Sequence, residues 1–363
     1  MPYTSIEVGH MLRARARMLR TLSWFGLSPC LARWPACAVV VDGDRVVSTA
    51  TLLDEDVRLG NIHLPAGQVE LVATDHAYEG RGLVRALMPW AHDRSAARGH
   101  VIQTVIGIPY FYRLFGYVYA IDIPPALTVH TPPPGEAASG LRAARPADIP
   151  AMTSLQEAAQ NRFDVAMPHS PARWRWLLVH AASNLWVLDR ADTVIATART
   201  TPPGHEALLT EATALDEAAA RDLLRGVAAL ASNGQVRVVH RSGTVTAAAW
   251  QEFLDHEPRK QADQYYVRIP DVAALLDRLR PLLWHRITTA VIDRTDIVIS
   301  TFGAHYRIPV HADGLGELVT GGVMQGPGAV GGAAAAPDHM PALLFGPHGI
   351  EGLTRTRPDV YAG

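Results

Sequence analysis

The stretch ELVATDHAYEGRGLVRALMPW, residues 70–90, changes from an apolar strand-like run to a turn with Gly80 and Gly82, and then to a helical pattern. Glycines let backbone N–H groups converge without obstruction, and the N-terminus of a helix is partly positive. This combination predicts a phosphate-binding loop, although such a turn can also be a plain connection. Glu79 places a carboxylate beside the expected phosphates, which costs Coulomb energy that the neighbouring arginines can offset.

The segments around this loop predict a sheet with flanking helices. The run AVVVDGDRVVSTATLL, residues 38–53, favours an antiparallel hairpin that turns at residues 42–44. Separate strands are expected at NIHL (61–64) and QVELVAT (68–74), and a helix at about 82–97. The run VIQTVIGI (101–108) predicts a buried strand, which a short aromatic helix and a last strand follow.

The second half of the chain looks like a degenerate copy of the first. A proline-rich linker at 129–140 precedes a predicted hairpin that turns at Ala191-Asp192. Residues 206–230 repeat the order of strand, turn and helix, but without a glycine between Thr210 and Arg221. We therefore predict three domains in these 363 residues, at 1–132, 133–269 and 270–363.

Composition and charge exclude several classes of protein. The formal net charge is -2 and 48% of the residues are hydrophobic, which is typical of a soluble globular protein without a general attraction for polyanions. Lys260 is the only lysine, as expected for a G+C-rich bacterial genome. The two cysteines, Cys30 and Cys37, are expected to be reduced thiols. With no signal peptide and no membrane-spanning run, we expect a cytoplasmic protein without membrane partners.

The glycine loop and the aromatic segment together resemble the GNAT family of acyl-CoA-dependent N-acyltransferases. The family's loop is Arg/Gln-x-x-Gly-x-Gly/Ala, and here Gly82 matches the central glycine while Val84 replaces the last small residue. Tyr112 stands four residues before the Gly116-Tyr117 pair, as the family's tyrosine does. The sequences of the segments GRGLVRALM and FYRLFGY are most similar to those of the enhanced intracellular survival (Eis) group.

The resemblance implies a mixed α/β (α+β) fold. It consists of an N-terminal GNAT catalytic domain, a degenerate second GNAT-like domain, and a small C-terminal domain similar to sterol carrier protein. The family tends to form homo-oligomers and needs no metal. Eis-like enzymes use their C-terminal carboxylate as proton acceptor, and we expect that Gly363 does not reach the site.

The resemblance also implies where the donor binds. The backbone of Val72, Ala73 and Thr74 would pair with the pantetheine arm of acetyl-CoA or another acyl-CoA. The pyrophosphate would bind the amides of the loop and first helical turn, at Gly80, Arg81, Gly82, Leu83, Val84 and Arg85.

Tyr112 would protonate the departing thiolate, because a phenol is neutral at pH 7. The alternative is that Tyr112 is a core aromatic. Glu70 is the candidate general base, acting through water, or else a structural or substrate contact, and His63 is the reserve. Trp24 and Phe25 could line the acceptor pocket, although burial for packing is the commoner role of such residues.

These residues predict transfer of an acetyl or other acyl group from acyl-CoA to an amine of a small molecule or a lysine side chain. One alternative is a GNAT-like transferase that takes its acyl group from aminoacyl-tRNA in natural-product assembly. Arg13, Arg17 and Arg20 would then contact the phosphates of tRNA, which the net charge disfavours. The other alternative is a catalytically silent protein that binds acyl-CoA or another ligand.

Overall fold

The structure is a computed structural model, and it describes residues 6–8, 37–136, 139–202, 204, 206–232, 235–255, 263–291, 293–357 and 359–362. In its described part the chain forms two compact units. Of the described residues, those at 6–8, 37–122 and 264–362 belong to unit 1, and those at 123–263 belong to unit 2. The division into three domains, and the likeness of the last one to sterol carrier protein, stay predictions.

The strands and helices are numbered in chain order. The described strands are β1 (Ile6–Val8), β2 (Cys37–Asp42), β3 (Arg45–Leu59), β4 (Ile62–Thr74), β5 (Ile102–Val105), β6 (Val118–Ile123), β7 (Ala126–Thr128), β8 (Leu141–Ala143), β9 (Val165–Ala166), β10 (Asn184–Arg190), β11 (Thr193–Thr200), β12 (Glu206–Ala214), β13 (Gln235–Val239), β14 (Asp263–Arg268), β15 (Asp296–Ser300), β16 (His305–His311), β17 (Gly314–Leu315), β18 (Val319–Gly321), β19 (Ala333–Ala335) and β20 (Val360–Ala362). The described helices are α1 (Leu83–Ala97), α2 (Ile149–Gln160), α3 (Pro171–Leu177), α4 (Glu217–Ala228), α5 (Val245–Trp250), α6 (Val272–Thr289), α7 (Met340–Phe345) and α8 (Gly349–Thr356).

The main sheet of unit 1 has the order β1-β2-β3-β4-β5-β14-β6. The first four strands are antiparallel neighbours, β5 runs parallel to β4, and β14 returns antiparallel to β5. The predicted hairpin and helix are confirmed as β2–β3 and α1. One face of α1 is buried against the sheet through Leu83, Leu87, Met88 and Ala91, and these residues form the core beneath the loop.

The prediction of two strands at 61–64 and 68–74 was wrong, because β4 runs without interruption from Ile62 to Thr74. The intervening Pro65-Ala66-Gly67 resembles a break. In the structure, a Cβ on Gly67 would lie 2.7 Å from the side chains of both Ser95 and His100. The glycine therefore permits a close approach between the sheet and the end of α1, and it does not mark a turn.

Unit 2 repeats the topology of unit 1 on a smaller scale. Its sheet has the order β7-β13-β12-β11-β10-β8, in which β12 and β13 are parallel and the other neighbours antiparallel. The predicted hairpin is β10–β11, and its turn residues Ala191 and Asp192 have φ values of 48° and 60°. The predicted strand, turn and helix are β12 and α4. Mixed sheets flanked by helices, the predicted fold class, are thus present in both units.

The rest of unit 1 follows β14. A further sheet has the order β17-β16-β15-β19-β20, with β18 also paired to β16. The helices of this region are α6, α7 and α8. No described helix of the chain is both long enough and apolar enough to span a membrane.

Candidate active site

The site lies at the carboxyl end of β4, where the sheet opens. The parallel pairing of β4 with β5 ends at Val69 opposite Val105, but β4 continues to Thr74. Just past this point the register of β3 and β4 shifts, and Leu71 takes a φ of 49°. This bulge turns the strand, so that β4 leaves a wedge beside its last residues. An extended ligand can pair with a strand edge of this kind.

The loop after β4 is held in place by side chains on its outer face. Asp75 accepts a hydrogen bond from the N–H of Ala77 (3.0 Å) and pairs with Arg45. The Tyr78 hydroxyl donates to Asp42 (2.7 Å), and the guanidinium of Arg81 lies 4.7 Å from the centre of the Tyr78 ring. These contacts fix the path of the chain as it approaches α1.

The two glycines are required by the backbone and leave the loop open. Gly80 and Gly82 have φ values of +73° and +77°, in the left-handed region that side chains disfavour. No atom lies within 4 Å of a Cβ built on either residue. Gly82 supplies no side-chain cap to α1, and the first turn of the helix contains no acid. The first-turn N–H groups have no partner within the helix, which makes this end suitable for an anion.

Glu79 does not cap the helix. Its carboxylate lies 3.2 Å from the imidazole of His76, and the side chain is 58% exposed. Arg85 is exposed in the first turn of α1, while Arg81 also donates to the Ala77 carbonyl (2.9 Å). The acid at the head of the loop thus contacts a neighbouring histidine within the loop itself.

Tyr112 lies in a short 3₁₀ helix, Phe111–Phe115, and is 4% exposed. A Cβ on Gly107 would lie 2.4 Å from the ring and 3.2 Å from the hydroxyl of Tyr112, so that position requires glycine. Burial, and next the charge of Glu70, raises the pKa of Tyr112 to about 12. The phenol is therefore neutral at pH 7 and can act as a proton donor.

Glu70 follows the last residue of β4 that pairs with β5. It is half-buried, accepts a hydrogen bond from Gln68, and acts electrostatically on Tyr112. The structure thus brings a carboxylate and a neutral phenol together at the opening that Val72, Ala73 and Thr74 border.

Other predicted residues lie elsewhere. His63 stands seven residues before Glu70 on the same strand, roughly 23 Å away along an extended chain. It pairs with Asp56, so the structure does not bring the reserve base to the opening. Trp24, Phe25, the arginines at 13, 17 and 20, and Gly363 lie outside the described residues.

Two residues of the site were not predicted. The run at 101–108 predicts a buried strand through Gly107, but β5 ends at Val105 and Gly107 lies against the ring of Tyr112. Tyr266 lies on β14, after the whole of unit 2, and its ring centre is 5.7 Å from that of Tyr112. No local motif connects it with the loop.

Residues 24–120 match the acetyltransferase (GNAT) domain. The match contains the glycine loop, Glu70 and Tyr112, and it supports acyl transfer as the general reaction. A comparison with curated proteins finds no match.

Solved structures with low sequence identity share this fold over nearly the whole chain. A conserved protein of unknown function from Enterococcus faecalis V583, described as a probable N-acyltransferase, is 12% identical with a TM-score of 0.71, covering 99% of this chain and 93% of that one. The GCN5-related N-acetyltransferase of Kribbella flavida is 18% identical (TM-score 0.64; coverage 99% and 94%). Eis1 of Mycobacterium abscessus is 16% identical (TM-score 0.60; coverage 99% and 94%). These similarities extend the shared fold beyond residues 24–120 to both units.

Proposed function

We propose that the protein is an N-acyltransferase that moves an acetyl or other acyl group from acyl-CoA to an amine of a small molecule or a lysine side chain. One observation carries the proposal: an opened strand edge, an uncapped helix N-terminus and a neutral buried phenol all lie at the carboxyl ends of β4 and β5. Each of these features fits a different part of an acyl-CoA.

The donor would lie along β4 and turn into the loop. Its pantetheine amides would pair with the backbone of Val72, Ala73 and Thr74, as an added strand does. Its pyrophosphate would lie at residues 80–85, where the open glycines allow close approach and the helix N-terminus supplies partial positive charge. The thioester would then reach the wedge between Glu70 and Tyr112.

The reaction that fits this arrangement is a direct transfer. The amine nitrogen forms a C–N bond to the thioester carbonyl carbon, and the C–S bond breaks. The thiolate takes the proton of the Tyr112 hydroxyl, and Glu70 receives the proton that the amine loses, through water. Burial, and next the charge of Glu70, raise the pKa of Tyr112, so the phenol still holds its proton when the C–S bond breaks and the thiolate forms.

Binding and chemistry can be tested separately. Thermal-shift titration with acetyl-CoA, longer acyl-CoAs and free CoA should show stabilisation. A broad amine panel with mass-spectrometric detection should then identify acylated acceptors. A shift without any acylated amine would favour a silent acyl-CoA binder, and no shift with any of the thioesters would refute the CoA donor. Transfer from aminoacyl-tRNA, weakened by salt, would favour that donor instead.

The catalytic role of Tyr112 is tested with Tyr112→Phe, which removes the proton and keeps the ring. We expect kcat to fall about 100-fold with little change in KM for acyl-CoA, within the range of general acid catalysis. Tyr117→Phe is the matched control, because Tyr117 is equally buried but its hydroxyl donates to Gln103 (3.3 Å). A wild-type rate in Tyr112→Phe would remove this residue from the mechanism.

A further inference from the structure

Tyr266 connects β14 to the segment that carries Tyr112. Its side chain is fully buried, and its ring stacks on Tyr119 of β6 with centres 4.1 Å apart. The two hydroxyls lie 2.8 Å from each other, and Tyr266 donates to the carbonyl of Ile108 at 3.2 Å. Tyr119 in turn accepts from the N–H of Tyr110 (3.4 Å). Two phenols therefore bind the backbone of the segment on both sides of Pro109.

This segment determines where the Tyr112 hydroxyl lies. Tyr110 has a φ of +64°, an unfavourable value for a residue with a side chain, and it directly precedes the 3₁₀ helix of Tyr112. Gly107, one residue before Ile108, lies against the Tyr112 ring. Because strained backbone persists only where its surroundings hold it, the phenol contacts are the structural support for this turn.

We propose that Tyr266 is a positioning residue that holds the Tyr112 hydroxyl at the thioester end of the opening. This inference rests on the proposed function, in which Tyr112 is the proton donor. It assigns a role in the reaction to a residue from β14, which lies well beyond residues 24–120. Strand β14 is the neighbour of β5 in the sheet, so the first unit's site is completed by chain that follows the second unit.

Titratable side chains face Tyr112 from different elements, and Tyr266→Phe alters only one of them. Glu70 faces it from β4, Tyr117 from the end of the 3₁₀ helix (6.3 Å between rings), and Tyr266 from β14. Tyr266→Phe keeps the ring contact and removes the hydroxyl bonds to Ile108 and Tyr119. The turn would then loosen and water would reach Tyr112, while the β4 edge and the glycine loop would keep their structure.

The test uses the full chain with Tyr266→Phe, Tyr112→Phe and the double variant. We expect kcat to fall about tenfold in Tyr266→Phe with KM for acyl-CoA unchanged, since small misplacements of a reacting group are costly. The double variant should be no slower than Tyr112→Phe alone. Tyr117→Phe, which also loses a buried phenol hydroxyl beside Tyr112, should leave kcat within about twofold of wild type. Losses that multiply in the double variant, or an unchanged kcat in Tyr266→Phe, would overturn the proposal.

A second measurement needs no acceptor, so it separates this inference from the proposed function. Carbon-13 NMR of labelled tyrosine rings, with Tyr112 assigned by its loss in Tyr112→Phe, follows the Tyr112 phenol through a pH titration. In Tyr266→Phe we expect its pKa to fall towards the ordinary value near 10, because water that enters the loosened turn reduces the burial that raises it. An unchanged pKa would contradict the positioning role whether or not acyl transfer is found. A lowered pKa in a protein that acylates no amine would show that Tyr266 holds Tyr112 in place, and it would contradict the acyl-transfer function alone.

Discussion

The two units build the same strand, turn and helix, but they use the helix N-terminus in opposite ways. In unit 1, α1 starts at a glycine turn and has no side-chain cap. In unit 2, the Asp216 carboxylate accepts the N–H of Ala219 (2.7 Å) at the start of α4, and Glu217 adds a second acid to the first turn. A helix end that its own carboxylates satisfy does not attract a phosphate.

The ends of β4 and β12, beyond their pairing with a parallel neighbour, differ in the same way. Strand β12 pairs with β13 up to Leu209 and continues to Ala214, as β4 continues beyond Val69. Here the continuing strand carries Glu211, which contacts His169 at 2.9 Å and Arg199 at 2.5 Å. We call these three residues the Glu211 cluster. In unit 2, paired polar side chains lie at the position where unit 1 leaves a wedge. This difference favours a structural role for unit 2.

The largest effect on this comparison is expected from Glu211→Gln. Removing the carboxylate leaves the Arg199 charge without its partner in a partly buried site, which should lower the stability of unit 2 by about 3 kcal/mol. The shift of the urea unfolding transition measures this. Glu206→Gln is the control at the exposed start of the same strand, where the acid lies 3.7 Å from Arg237. Equal effects of the two substitutions would show that the cluster does not stabilise the unit.

The cluster should also give unit 2 a characteristic response to acid. Burial on its own would raise the pKa of Glu211, but the His169 hydrogen bond and the charges of His169, Arg199 and Arg241 lower it overall. A carboxyl group with a lowered folded pKa stabilises above its unfolded pKa of about 4.3, and that stability is lost as the pH falls below it. Wild type should therefore lose stability below about pH 4.5 more steeply than Glu211→Gln.

The next effect tests the glycine turn. Gly82→Val puts a branched side chain at a φ of +77° and over the open side of the loop, so affinity for CoA should fall about 50-fold. Isothermal titration with free CoA measures this. Asp216→Ala is the matched change in unit 2, and it should cost about 1 kcal/mol of stability but leave CoA affinity unchanged. Tighter CoA binding in Asp216→Ala, or a second bound CoA, would mean that the freed helix end of unit 2 also takes the donor phosphates.

Local signals in the sequence predicted the glycine turn, α1 and both hairpins, because each depends on neighbouring residues. The continuous β4 was missed since Pro65-Ala66-Gly67 looks like a break until Ser95 and His100 are seen to pack on Gly67. Tyr266 could not be predicted, because sheet order places β14 beside β5 and no sequence spacing records that neighbour.

The turns before α1 and α4 both carry an acidic residue, but the two acids make different contacts. Asp216 caps its helix, whereas Glu79 lies on His76 and leaves α1 uncapped. An exposed carboxylate near a bound pyrophosphate should weaken binding only modestly, since solvent screens it.

We therefore expect Glu79→Arg to raise CoA affinity about threefold in low salt and Glu79→Gln to raise it less, with both gains shrinking as salt is added. Titration calorimetry at two ionic strengths measures this, with Asp44→Arg, in the β2–β3 turn, as the control for the same change in net charge. Tighter binding in the control, or weaker binding in Glu79→Arg, would mean that Glu79 does not face the donor phosphates. Glu79 would then have a structural role in the loop, as Asp216 has at the start of α4.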